Sequence, residues 1–167
     1  AEVFDADGYF CTGDIAEIDD DGFIRITDRK KDIIVTAGGK NIAPQPIEAE
    51  LKRSPLVDNA VIIGDRRAFL VVLLSPNSEE LENWAKARDI PFSSVEDITR
   101  HPEAEKAFAE VVEATNQGLA RYHQIKKLAV LPLMLSIDDG TMTQTLQVKR
   151  RVVEQQYSEL IEKLYEG

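Results

Sequence analysis

The sequence predicts an α+β fold: a small mixed sheet with packed helices, preceded by a β-hairpin and ending in an amphipathic helix. Three observations carry that reading. Strand-like apolar runs and helix-like periodic segments interleave along the chain. Two apolar runs, 60–63 and 69–74, separated by Gly64-Asp65-Arg66-Arg67, read as an antiparallel pair in the middle of a core. At the end, Val152, Val153, Tyr157, Leu160, Ile161 and Leu164 recur at helical spacing with charges between them.

In order along the chain, Ile15-Ala16-Glu17-Ile18 and Phe23-Ile24-Arg25-Ile26 flank Asp19-Asp20-Asp21-Gly22, the pattern of two strands around an Asp/Gly turn. The charged run Thr27-Asp28-Arg29-Lys30-Lys31-Asp32 separates this hairpin from the rest and reads as a domain boundary. Ile33-Ile34-Val35 is a strand, and Gly38-Gly39 follows as a side-chain-free loop. Pro44 and Pro46 precede a short helix over 47–53, stopped by Ser54-Pro55. Ser78, with Glu79 and Glu80 in the first turn, caps a helix to about residue 88. Ser94-Val95-Glu96-Asp97 resembles a capping box and opens another. A longer helix runs over 102–121 with Ala107, Phe108, Val111, Val112 and Leu119 on its apolar side, followed by a strand over 126–131. From about Lys149 a single amphipathic helix completes the chain.

Composition narrows the function. The 167 residues are 43% hydrophobic, enough for a packed core, and 30 acidic against 20 basic side chains give a net charge of −10. That balance argues against nucleic-acid binding by bulk charge. One cysteine, Cys11, excludes an internal disulfide, and His101 and His123 alone make a histidine-rich metal site unworkable. No apolar run approaches the ~20 residues that span a bilayer, and the first residues lack the order of a signal peptide. With no initiator Met, the chain reads as a piece of a longer protein, in a cytoplasmic setting.

Three segments hold residues that folding alone does not explain. Asp14, after the Thr12-Gly13 turn, is a carboxylate able to accept two hydroxyl hydrogen bonds, as from a ribose; a plain turn residue is the other reading. The stretch from Asp28 through Arg29 and Lys31 to Gly38, Gly39 and Glu48 joins a guanidinium suited to phosphate or ribose oxygens to a loop that could admit a narrow ligand. The third, 138–151, is a Thr-rich loop feeding Lys149-Arg150-Arg151. Cations at a helix N-terminus oppose its dipole, so anion contact and a solvated basic face both stand as explanations.

Taken in this order, the segments resemble the carboxyl-terminal end of the adenylate-forming, AMP-binding acyl-CoA synthetases. Gly8-Tyr9-Phe10-Cys11-Thr12-Gly13-Asp14 is similar to that family's Thr-Gly-Asp motif, and Asp28-Arg29-Lys30-Lys31-Asp32-Ile33-Ile34 to its hinge. Val35-Thr36-Ala37-Gly38-Gly39-Lys40-Asn41-Ile42-Ala43-Pro44 is most like the long-chain fatty-acid branch, and Thr143-Gln144-Thr145-Leu146-Gln147-Val148-Lys149-Arg150 resembles the terminal motif.

The resemblance implies an enzyme that joins a fatty acid to ATP, releases pyrophosphate, and passes the acyl group from AMP to CoA, with Mg2+ accompanying ATP. Residues 1–28 would close a large amino-terminal domain, the partner of a lid formed by 29–167. By the same resemblance Asp14 holds the ribose hydroxyls, Ile26 lines the nucleotide pocket, and Arg29 contacts the nucleotide near the ribose. Lys31 is the hinge, Gly38 and Gly39 approach the pantetheine arm of CoA, and Glu48 braces that loop. One position departs: Gln147 stands where the family ordinarily has the lysine that stabilises charge at the α-phosphate, and Lys149, two residues on, is a possible substitute. The fragment alone would be inactive. A non-catalytic acyl- or nucleotide-binding relative, and an adenylation enzyme that loads a carrier protein, are the competing readings; a membrane-peripheral parent is compatible with all three.

Overall fold

The computed structural model describes residues 4–166; residues 1–3 and 167, and the side chains at 27 and 28, lie outside it. β1 (Asp14–Ile18) and β2 (Ile24–Arg29) form the hairpin, antiparallel, with a bulge opposite the Ile15–Ala16 step. Asp19 makes its turn: one carboxylate oxygen accepts from the Asp21 and Phe23 amides at 3.1 and 2.8 Å. β3 (Ile34–Val35) and β4 (Asn41–Ile42) form a second, two-residue pair around the glycine loop.

α1 (Pro44–Leu51) starts three residues before the expected Ile47, because proline at the first helical position forfeits only an N–H that would have no intrahelical partner. The helices α2 (Ser78–Lys86), α3 (Val95–Thr99) and α4 (Pro102–Gln117) follow the strands β5 (Val57–Ile63) and β6 (Leu70–Pro76). Asn77, not Ser78, caps α2, its side chain accepting from the Glu80 amide at 3.3 Å. Ser94 and Asp97 do form a reciprocal capping box. α4 stops at Gln117, short of residue 121, with Gly118 after it and a separate 3-10 turn at Arg121–His123.

β5, β6 and β7 (Ile125–Val130) make a three-stranded sheet in the order β5-β6-β7, β6 antiparallel to β5 and parallel to β7. Both faces are covered, which is why β6 reads as an unbroken apolar run. Ala60, Ile62, Leu70, Val72 and Leu74 face a cluster completed by Ile47 and Leu51 of α1, Leu81 of α2, Ile98 of α3 and Phe108 of α4. Val61, Ile63, Val71 and Leu73 face the other, with Val153 and Ile161 from the terminal helices. Each such side chain contributes roughly 1.5–3 kcal/mol by leaving water. Where β5 turns into β6, Gly64 is sterically required: a Cβ there would lie 2.3 Å from Leu70 Cδ2.

The terminal segment is two helices, α5 (Arg150–Gln156) and α6 (Ser158–Glu166), not one. The break sits at Tyr157, whose φ and ψ of −106° and 22° leave the helical region. Val153 and Ile161, eight residues and about 80° apart around a helix, fall within one apolar face, and both are buried in one cluster. No helix among the described residues is long and apolar enough to cross a membrane.

Candidate functional site

Between the hairpin, α1, the β5 edge and the segment 143–151 lies a cleft of about 700 Å³. It gathers Arg29, Lys31, Gln147 and Lys149, four residues singled out from sequence, although well over a hundred positions separate the first from the last. A smaller cavity of about 290 Å³, lined by Thr12, Gly13, Arg29, Lys30 and Lys31, adjoins it through Arg29 and Lys31.

The hairpin delivers Arg29. As the last residue of β2 it pairs with Asp14, the first of β1, and its Nε lies 3.3 Å from Asp14 Oδ1. The turn before Asp14 is held by the Asp14 amide donating to Thr12 Oγ1 at 3.2 Å and the Lys30 amide donating to the Gly13 carbonyl at 2.7 Å. Thus the Thr-Gly-Asp segment and the basic run sit side by side, joined by backbone bonds. Ile26 lies on the same strand, 65% exposed, and lines neither cavity. Lys31 follows β2 in a turn that the Asp32 amide closes onto the Arg29 carbonyl at 2.9 Å; its ammonium has no ion pair among the described residues.

The opposite wall is the Thr-rich loop, a tightly self-bonded structure. Thr141, fully buried, donates through Oγ1 to the Ser136 carbonyl at 3.1 Å and bonds Asp139 at 2.5 Å. Met142 and Val148 pair as an isolated bridge, and around the tip the Thr143 amide donates to the Gln147 carbonyl at 2.8 Å while the Gln147 backbone amide donates to Thr143 Oγ1 at 3.1 Å. Leu146 reaches the tip at φ +58°, an uncommon conformation for a leucine that costs about 1–2 kcal/mol. Its side chain is 68% exposed. Gln147 and Lys149 project from this scaffold; among the described residues the Gln147 side-chain carboxamide makes no hydrogen bond and Lys149 no ion pair.

Arg150 answers the question of why cations open the terminal helix. Its Nη1 donates to the Ile62 carbonyl at 2.6 Å and its Nη2 lies 2.7 Å from Glu48 Oε1. The same Glu48 oxygen accepts from the Ile62 amide at 2.8 Å. Two side chains thereby satisfy the outward N–H and C=O of an edge strand, which would otherwise be open to another chain. Their side chains are only 18% and 14% exposed, so the pair is an internal brace rather than an anion site. Sequence reasoning missed this partnership; the signal was there in cations misplaced for the dipole and in a glutamate singled out on α1. Glu48 is structural, as expected, but it braces β5 and α5 rather than the glycine loop directly.

Gly38 and Gly39 lie outside the cleft, in the β3–β4 turn. Gly39 takes φ +73° and donates to the Thr36 carbonyl at 2.8 Å. At Gly38 a Cβ would meet only Thr36 Oγ1, at 3.9 Å, so nothing within the chain demands a glycine there. Among the described residues no three His, Cys, Asp or Glu gather to hold a metal ion.

The chain is similar to known proteins in sequence and fold. Over 160 residues, 95% of its length, the chain is 38% identical to the long-chain-fatty-acid–CoA ligase FadD15 of Mycobacterium tuberculosis, of which it spans 27%. It is 33% identical over 183 aligned residues to the long-chain-fatty-acid–CoA ligase ACSBG1 of Rattus norvegicus, covering 99% of this chain and 25% of that protein. The chain therefore spans about a quarter of the length of these curated relatives. Among solved structures, its fold is similar to the adenylation domain of a carboxylate reductase from Mycobacterium chelonae, with TM-score 0.78 and 24% identity over 99% of this chain and 24% of that one, a likeness of fold alone. The model of the AMP-binding enzyme C-terminal domain matches residues 31–167, nearly all of the chain beyond the hairpin, and with that match the chain belongs to the AMP-binding enzyme C-terminal domain family.

Proposed function

We propose that this chain is the lid of an ATP-dependent long-chain fatty-acid–CoA ligase. A fatty-acid carboxylate attacks the α-phosphorus of ATP, pyrophosphate leaves, and the acyl-AMP so formed is attacked at its acyl carbon by the CoA thiol, releasing AMP. Residues up to 28 belong to a large amino-terminal domain that carries the rest of the site; those from 29 onward move as the lid, about a hinge at Lys31. The observation that carries this reading is the cleft, where two sequence-remote segments bring together Arg29, Lys31, Gln147 and Lys149.

Asp14, which lines neither cavity but is held 3.3 Å from Arg29, accepts the ribose hydroxyls, and Arg29 contacts the nucleotide nearby. Ile26, exposed beside them, packs on the nucleotide when the domains close. Gln147 occupies the position that faces the α-phosphate; it supplies hydrogen bonds but no charge, so adenylation is weakened, and Lys149, two residues on, is the alternative source of a cation. The Gly38-Gly39 loop approaches the pantetheine arm in the thioester-forming pose, a role supported by the absence of any internal need for glycine at 38. Mg2+ enters with ATP and is held by groups outside this chain. A cytoplasmic location, at the periphery of a membrane where the acyl substrate partitions, goes with this chemistry.

Gln147 itself favours a second reading, a relative that binds acyl-adenylate or nucleotide without forming it. Substituting Asp14→Ala and Arg29→Ala in the full-length protein tests the assignment. Each should weaken ATP affinity about tenfold or more; unchanged affinity and rate in both would contradict it.

A further inference from the structure

The short turn between β5 and β6 touches both the glycine loop and the last helix. On one side, the Ala37 amide donates to the Arg67 carbonyl at 2.9 Å, the Arg66 amide to the Val35 carbonyl at 2.8 Å, and the Val35 amide to Asp65 Oδ1 at 3.1 Å. The residue that leads into Gly38-Gly39 therefore hangs from Arg67. On the other side, the Arg67 guanidinium forms a two-pronged ion pair with Glu162 of α6, one bond 3.1 Å long, and lies 4.7 Å from the Tyr165 ring centroid. Tyr165 fixes the base of the turn, its hydroxyl donating to the carbonyls of Ile63 and Phe69 at 3.1 and 3.0 Å.

We propose that Arg67 is a positioning residue through which the terminal helix α6 holds the Gly38-Gly39 loop. Arg67 joins the two with one residue: its carbonyl anchors the loop, and its planar fork anchors the helix. Arg66, at φ +57°, takes a left-handed conformation that a non-glycine residue keeps only where its surroundings hold it. A lone exposed ion pair would do little; here the pair is two-pronged, is stacked on an aromatic ring, and leaves the arginine side chain only 36% exposed. The functional consequence rests on the reading of this loop as the approach for CoA: loosening α6 would raise KM for CoA and leave acyl-adenylate formation untouched, because Gln147 and Lys149 project from the Thr-rich loop, which is held by its own bonds to Thr141 and Thr143.

The experiment has two arms. In this chain, amide hydrogen exchange compares Arg67→Ala and the milder Glu162→Gln with Arg100→Ala, which breaks an ion pair on α3 distant in sequence from the loop. Exchange at Ala37, Gly39 and Lys40 should rise about tenfold in the first two only, with Val72 and Leu73 in the sheet centre unchanged. Unchanged loop exchange, or a rise shared equally by the sheet, overturns the coupling, since a general loss of stability would move every amide. In the full-length protein, Arg67→Ala should raise KM for CoA about fivefold at unchanged ATP–pyrophosphate exchange. If loop exchange rises while KM for CoA does not, the coupling stands and the assignment of the loop to CoA falls.

Discussion

The hairpin and the body that follows it use the same apolar residue types in opposite ways. In the body, Ile62, Val72, Leu73 and Leu74 have no exposure, because helices cover the sheet on both sides. In the hairpin, Ile18, Phe23 and Ile24 are 70–72% exposed and Phe10 is 61% exposed, although β1 and β2 are as regularly paired as β5 and β6. Regular pairing satisfies backbone groups; it does not bury side chains. The body has its own core, whereas the hairpin is ordered by its turn and by a few bonds to the basic run, and its apolar face is open. That contrast accords with a hairpin belonging to a larger amino-terminal domain and a body acting as the lid.

The contrast can be broken most forcefully at Arg150. Arg150→Ala leaves the Glu48 carboxylate largely buried without its cation and uncovers the Ile62 carbonyl, so unfolding free energy should fall by about 3 kcal/mol and the melting temperature by about 10 °C. Denaturant titration checks this; a change under ~0.5 kcal/mol would mean that the brace is not structural. Tyr165 gives a second test. Half burial pushes its hydroxyl up to about 12 from an ordinary 10.0. The folded state thus holds the proton more tightly than the unfolded chain does. The stability from this group is complete below pH 10 and is lost as pH rises towards about 12. Tyr165→Phe should remove that alkaline decline, and an unchanged decline would place its origin elsewhere.

Smaller effects sharpen the comparison. Leu146→Gly relieves the left-handed strain at the tip of the Thr-rich loop and should raise stability by about 0.5–1 kcal/mol, measured by thermal unfolding. A loss would show that the leucine side chain packs usefully within this chain. Phe23→Ser, on the open face of the hairpin, should change the body's stability by less than ~0.5 kcal/mol. A larger loss would make the hairpin part of the body's core.

The body's fold was legible because its signals are local. The unbroken apolar run of β6, the Ser94–Asp97 box and the apolar stripe of α4 are each written within one strand, one turn or one helix. Misreadings fell where two local signals compete: Asn77 and Ser78 are both good caps, and Pro44 can begin a helix as readily as precede one. The break at Tyr157 has no proline or glycine to announce it. Of the candidate site residues, the cleft gathers Arg29, Lys31, Gln147 and Lys149 but not Asp14, Ile26, Gly38 or Gly39, and its bracing was not legible. Arg29, Lys31, Gln147 and Lys149 stood out by residue type, whereas the Arg150–Glu48–Ile62 brace joins three segments that no local pattern relates.

The central claim, that the cleft residues serve acyl-adenylate formation, is tested most directly by long-chain fatty-acid-dependent ATP–pyrophosphate exchange in the full-length protein, with Gln147 and with Gln147→Lys. The lysine should raise exchange about a hundredfold, equivalent to ~3 kcal/mol of transition-state stabilisation. Equal exchange by the two forms would contradict a role for position 147 and shift the charge to Lys149, and no exchange in either would favour the binding-protein reading.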